Sequence, residues 1–339
     1  MTLAAPWVLW LIAAMVFILS TRNPIYLLIT IVALYVLGAK LNDNKSNQQW
    51  FNLNLRFLLT IVGLSSLINA LFAHSGKSVL FNLPESWLLI GGAITLESLV
   101  YGAVNGLVIG ALYLLFNLFN KALSVKQITR LIPRAFHPLA TMVTISLTFF
   151  PSIRQRIQEI REAQLIRGNP MKKVTDWLPI LIPLLVSSLE DAFLLSESMT
   201  SRGFQTPTHK NNSSLTLVLL ILSAFALFAG WILSLYSYPK SISYGLYIFA
   251  ALVVLFTLIA GGRNNPVKPY KKELWQTADI IGTIIFFIML ITNLILLFSK
   301  NMPSFSYSPY PEMTLPPLQW LGVILSLMPG VPGLLQSHD

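Results

Sequence analysis

The chain has 339 residues, 55% of them hydrophobic and only 11% charged. A soluble domain carries about 25% charged residues, so this chain has too little polar surface for a water-soluble globule and lipid is its solvent. The absence of cysteine excludes disulfides and thiolate metal sites, and the net charge of +10 comes from bases beside apolar segments, the mark of membrane topology and not of nucleic-acid binding.

A spanning helix needs roughly 20 apolar residues. The stretches that come close are 5–20, 24–40, 56–74, 99–119, 214–236, 243–261 and 277–298. Met1–Trp7 lacks a basic n-region and a small-residue cleavage site, so the first apolar segment is expected to be retained. Thr21-Arg22-Asn23-Pro24 predicts a tight turn between the first two spans. Gly76-Lys77-Ser78 looks like the end of a phosphate-binding loop, but Leu71 stands where the first glycine belongs. The segment is also expected on the outer side, and that reading is rejected. Residues 86–98 read as a short extra helix or as an extension of the next span. Glu97 is a carboxylate near a membrane segment with no obvious partner, expected at the interface. Gly102, Gly106 and Gly110 form a small-residue stripe that lets helices approach closely. It serves packing within this subunit or, as the alternative, contact with a mobile partner.

Residues 121–210 hold 12 of the 23 Lys and Arg. With the basic loops 40–56 and 262–276 they are expected on the cytoplasmic side. That places the N-terminus inside and 74–98, 237–242 and 299–317 outside. The block contains two apolar runs, 138–150, too short to span, and 177–189, interrupted by Pro179 and Pro183. Two amphipathic helices are predicted. In the first, Ile153, Ile157, Ile160, Ala163 and Ile166 form the apolar stripe, with Arg154, Arg156, Arg161 and Glu162 on other faces. In the second, Leu185, Leu189, Ala192, Leu195 and Met199 form the stripe, with Glu190, Asp191 and Glu197 off it.

Each of these helices ends on the same pair, Arg167-Gly168 and Arg202-Gly203, 35 residues apart. A cation suits a helix C-terminus, and glycine suits the left-handed residue after it. A lone Arg-Gly is an ordinary helix stop. Two of them, on consecutive cytoplasmic helices of a membrane protein, carry more. Phe204 is positioned to supply the hydrophobic contact of a Schellman end.

With these motifs, Phe149-Phe150-Pro151 before the first helix and the early Asn23-Pro24, the chain resembles the transmembrane T components of energy-coupling-factor transporters, including the cobalt-transport Q proteins. That family carries Ala-Arg-Gly-like signatures, whereas Ile166 and Ser201 precede the arginines here. The resemblance covers roughly residues 1–235. It implies an all-α integral membrane protein of the bacterial plasma (inner) membrane, multi-pass, with the N-terminus cytoplasmic and long coupling helices. It also implies that Arg167, Gly168, Arg202 and Gly203 bind two ABC-type ATPase subunits. A separate substrate-binding S component would then take up a vitamin or a transition-metal ion.

The resulting expectation is about seven transmembrane helices, or eight. The predicted divisions are an N-terminal transmembrane part (1–120), a coupling-helix region (121–210) and a C-terminal transmembrane region (211–339). The region after 237 reads as an additional membrane module that meets the S component through 299–317. Its apolar core 318–328 is followed by Pro329 and Pro332. It covers only about 16 Å as helix and is expected to lie at the interface or re-enter, not to cross. Asp279 sits near a helix start, where an anion is favoured. His74, His137, His209 and His338 show no metal-ligand spacing, no paired carboxylates or nucleophile with a base appear, and no cofactor is expected. The chain is expected not to be an enzyme. Two other readings are a structural or assembly subunit of another membrane complex and a membrane-embedded enzyme. The first would co-purify without any ATP-binding-cassette protein; the second would yield a defined product.

Overall fold

The computed structural model describes residues 3–41, 47–73, 76–82, 92–132, 136–168, 177–204, 213–235, 240–263, 275–299, 305, 307–310 and 314–335. His74, His209, Lys45, the loop bases Lys268, Lys271 and Lys272, and much of 299–317 lie outside them. The described residues are all-α apart from one antiparallel pair of short strands. The helices are α1 (Ala4–Ser20), α2 (Pro24–Leu41), α3 (Asn47–Phe72), α4 (Leu96–Ala122), α5 (Val125–Thr129), α6 (His137–Ile166), α7 (Leu178–Ser201), α8 (Ser213–Leu235), α9 (Lys240–Arg263), α10 (Thr277–Ser299), α11 (Trp320–Leu327) and α12 (Pro332–Leu335), with a 3₁₀ turn at Met328–Gly330. Strands β1 (Val79–Asn82) and β2 (Ala93–Thr95) pair antiparallel before α4.

Seven described helices are long and apolar enough to cross a membrane: α2, α3, α4, α7, α8, α9 and α10. The number meets the expectation, but the membership differs. Helix α1 has 17 residues and falls short, while α7 qualifies as one continuous helix. Its two prolines do not interrupt it. Pro179 stands in the first turn, where no N–H is required, and Pro183 removes one hydrogen bond early in the helix. Helix α6 likewise runs 30 residues through Pro151, so the 138–150 run and the predicted amphipathic helix are one element.

The chain forms two compact units, Met1–Ile128 with Lys272–Asp339, and Thr129–Lys271. In the first, the core gathers Trp7, Trp10, Leu34, Leu114, Leu118 and Phe286 from α1, α2, α4 and α10. The turn predicted at Asn23 forms: its side chain accepts the Ile25 N–H at 3.0 Å and starts α2. Helices α3 and α4 meet along the glycine stripe. The Ser65 hydroxyl donates to the Gly102 carbonyl at 2.8 Å and Ser66 to Leu99 at 2.7 Å. A Cβ on Gly102 would lie 2.6 Å from the Ser65 carbonyl oxygen, and one on Gly106 2.6 Å from the Val62 Cα. The stripe thus faces α3 of the same chain.

Glu97 and Asp279 both have partners that sequence spacing did not reveal. Glu97 is fully buried in the first turn of α4, and both its oxygens accept the Ser78 N–H, at 3.1 and 3.2 Å. Gly76-Lys77-Ser78 therefore turns its backbone toward a carboxylate, with Gly76 at φ +140°. Residues 93–95 form β2, which corrects the expectation of a helix over 86–98; 86–91 lie outside the described residues. Asp279 accepts the Gln276 N–H at 3.2 Å at the start of α10 and the Leu3 N–H at 3.4 Å before α1, so the two helices begin at the same end of the unit.

The C-terminal segment departs most from expectation. The Asn23 amide donates to the Pro317 carbonyl at 2.9 Å, and the Tyr26 hydroxyl accepts the Gln319 N–H at 2.7 Å. Trp10 Nε1 donates to the Pro329 carbonyl at 2.9 Å, and Lys40 Nζ to the Gly333 carbonyl at 2.9 Å. Residues 317–333 therefore run beside the whole of α2, about 27 Å at the helical rise. Extended residues, a short helix, a 3₁₀ turn and a second short helix together cover the depth of a span. Nor do the residues after 237 form a module of their own. Helix α9 pairs with α8 in the second unit, while α10 and 317–335 complete the first.

The second unit holds the pairs α6–α7 and α8–α9. Large apolar side chains on it, among them Leu185, Leu189, Phe193, Phe225, Phe228 and Leu252, are exposed, as suits surfaces made for lipid or for other chains.

Candidate functional site

The two predicted helix ends share one local geometry. Arg167 and Arg202 are the C-cap residues of α6 and α7, with φ, ψ of −78°, 5° and −84°, 7°. Gly168 and Gly203 follow at φ +80° and +74°, the left-handed region where a Cβ would be strained. The Arg167 N–H reaches the Ala163 carbonyl and the Arg202 N–H the Ser198 carbonyl, both at 3.3 Å. Gly168 N–H donates to Leu165 and Gly203 N–H to Thr200, both at 3.0 Å. At the second end Phe204 N–H adds a bond to Met199 at 2.9 Å, completing the Schellman motif. These bonds answer the carbonyls of Ala163 and Leu165 at the first end and of Ser198, Met199 and Thr200 at the second.

Both arginines are exposed. Ile166 beside Arg167 is 89% exposed, and Phe204 beside Gly203 is half exposed. Each end thus offers a guanidinium with five donors in a planar fork and an adjoining apolar side chain. Among the described residues, no heavy atom beyond the chain neighbours lies within 4 Å of where a Cβ on Gly168 or Gly203 would stand. This arrangement suits docking into a polar groove of another chain. Among the described residues no group of three or more His, Asp and Glu could hold a metal.

The covered faces of the two helices match the predicted stripes in part. On α7 Ile180 is buried and Leu184, Ser187, Ser188, Asp191, Leu195, Ser198 and Met199 are partly covered, while Leu185, Leu189 and Ala192 are exposed. On α6 they are Ile153, Arg156, Ile157, Ile160 and Gln164, while Ala163 and Ile166 are exposed. Arg156 and Asp191 thus lie on the covered stripes, where the apolar periodicity did not place them. They meet: Arg156 donates to Asp191 Oδ2 at 2.7 Å. Complementary charge at one register was the available signal, but it is readable only once the helices are known to pair.

Gly102, Gly106 and Gly110 are in the first unit, buried against α3, and are not brought together with the arginine ends by any contact within a unit.

The profile of the CbiQ family, cobalt transport protein, matches residues 4–215, from α1 into the start of α8. The chain is 26% identical over 206 residues to the energy-coupling factor transporter transmembrane protein EcfT of Bacillus selenitireducens, which spans 56% of this chain and 73% of that protein. It is 29% identical over 188 residues to the protein of the same name from Lactococcus lactis subsp. cremoris, 52% of this chain and 69% of that one. The corresponding protein of Bacillus subtilis is 29% identical over 167 residues, with shares of 44% and 60%. The matched stretch contains both arginine ends.

Proposed function

The chain belongs to the CbiQ family of cobalt transport proteins, and from that premise we propose that it is the transmembrane energy-coupling subunit of an energy-coupling-factor importer. It is a multi-pass membrane protein of a transport family. In this reading it catalyses nothing itself. Arg167 and Arg202 each enter a groove on one of two ABC-type ATPase subunits, where a charge-assisted, bidentate contact to acceptors fixes the helix end. Closure of the ATPase pair moves the two ends. Stiff helices pass that displacement to the membrane part, where a substrate-binding S component releases a vitamin or a transition-metal ion. The membrane is the bacterial plasma membrane, with the N-terminus and the arginine ends on the cytoplasmic side. Lys40 and Lys121 on α2 and α4 carry positive charge to the end where α1 and α10 begin, which supports that orientation.

The observation that carries the reading is the matched pair of exposed arginine C-caps, each followed by a left-handed glycine, inside the stretch shared with the family. The test is the charge reversal Arg167→Glu with Arg202→Glu in the expressed transporter. Both ATPase co-purification and uptake should be lost. Wild-type levels of both would end the proposal.

A further inference from the structure

Arg156 stands 11 residues before Arg167, and Asp191 stands 11 residues before Arg202. The 2.7 Å contact between them therefore joins α6 and α7 at equivalent registers. From the contact to each arginine end runs the same length of helix, about 16 Å at 1.5 Å per residue. Both charged side chains sit on stripes otherwise made of apolar and small polar residues: Ile153, Ile157 and Ile160 on one helix, Leu184, Ser188 and Leu195 on the other. They are only partly covered, with side-chain exposures of 34% and 26%. A solvent-shared ion pair adds little to stability. Its directional hydrogen bond does something that apolar contacts cannot, because a greasy stripe tolerates sliding by a residue or a turn while a matched pair of charges specifies one register.

We infer that Arg156 and Asp191 are positioning residues that form the pivot of the coupling helices, holding α6 against α7 at one register so that the two arginine ends sit on arms of equal length. The inference rests on the coupling role of those ends. Without the pivot the arginines still dock, but a displacement at one end is no longer met by an equal one at the other. Neither residue touches a partner's groove in this scheme. Each acts only through the geometry of Arg167 and Arg202.

The chain has no cysteine, so spin labels placed by Ile166→Cys and Ser201→Cys report the separation of the two ends in the purified full chain. The distance distribution should be narrow in the parent. It should broaden roughly twofold in Arg156→Asp and in Asp191→Arg, and narrow again in the double exchange, since a recovered coupling in the double variant isolates the pair itself. Should the reversals fail to fold, Asp191→Asn keeps the volume, removes the charge and is expected to broaden the distribution in the same way. Single variants as narrow as the parent would overturn the inference, and so would a double exchange as broad as the singles. In the assembled transporter the single variants should keep their ATPase subunits. Loss of those subunits would show that the pair acts in docking and not as a pivot. The coupling role fails separately, by retained assembly and uptake in the Arg167→Glu, Arg202→Glu chain.

Discussion

The ammonium of Lys40, in the last turn of α2, donates to the carbonyl of Gly333 at 2.9 Å, while at the other end of the same helix Asn23 holds Pro317. Two contacts at opposite ends of one span fix the intervening C-terminal segment along its depth. A segment too short and too rich in proline to read as a span therefore runs the length of α2, which implies that it crosses with it. Irregular backbone is tolerated at that depth only where protein covers it. Here Trp10 Nε1 satisfies the Pro329 carbonyl at the break between the helices.

Crossing has a direct consequence for labelling. Leu315 and Leu334 are 93% and 76% exposed and stand near the two ends of the segment. Single cysteines at these positions should react with a membrane-impermeant maleimide from opposite sides, Leu334→Cys from the side of Lys40 and Leu315→Cys from the side of Asn23. Reaction of both from one side would return the segment to the interfacial or re-entrant placement that its sequence suggests.

The glycine stripe makes a graded prediction. A methyl at Gly102 or Gly106 meets backbone atoms of α3, the Ser65 carbonyl oxygen or the Val62 Cα, at 2.6 Å. Backbone cannot give way without parting the helices. At Gly110 the obstacle is the Leu58 side chain, which can change rotamer. Gly102→Ala and Gly106→Ala should each destabilise the purified chain by about 1–3 kcal/mol, read as a lower melting temperature, and Gly110→Ala by clearly less. Equal losses at all three positions would contradict the geometry.

Asp279 links two helix starts. One oxygen accepts the Gln276 N–H as the returning arm of a capping box, and the other accepts the Leu3 N–H. A carboxylate there also faces the positive end of α10. Asp279→Ala should cost about 1–2 kcal/mol, with Asp279→Asn intermediate because it retains one acceptor. Thermal unfolding of the full chain checks the order. An asparagine variant no better than alanine would leave charge, and not acceptor geometry, as the cause.

What the sequence made legible follows from the range of each interaction. Spanning segments are read from length and hydropathy, because in lipid each helix satisfies its own backbone. The Arg-Gly ends are read because capping chemistry is local. Prolines misled in α6 and α7: Pro151 and Pro183 were read as breaks, yet each removes one bond from a helix of 30 or 24 residues. The glycine stripe was visible, but only α3 at close range shows which partner it serves. Arg156 with Asp191, Glu97 with Ser78, and 317–333 with α2 are tertiary pairings between remote residues, and periodicity carries no signal for them. The predicted apolar stripes hold only in part, at Ile153, Ile157 and Ile160 on α6 and at Leu195 and Met199 on α7, for the same reason. Apolar spacing marks residues that prefer burial, but in lipid an exposed Leu185 or Leu189 incurs no penalty, so the covered stripe can be the more polar one.

Asn293 shows the same logic inside α10. It is 1% exposed, one turn beyond the buried Met289, and both atoms of its amide lack a hydrogen-bond partner among the described residues. A buried polar group without a partner costs about 1–3 kcal/mol. Leucine has similar size and no such requirement. Asn293→Leu should therefore raise the melting temperature of the purified chain, by an amount equivalent to about 1 kcal/mol. Asn293→Asp, which buries a charge at the same place, should lower it. A leucine variant markedly less stable than the parent would show that the amide is satisfied by a bound water, and that the polar side chain helps to hold α10 in the core.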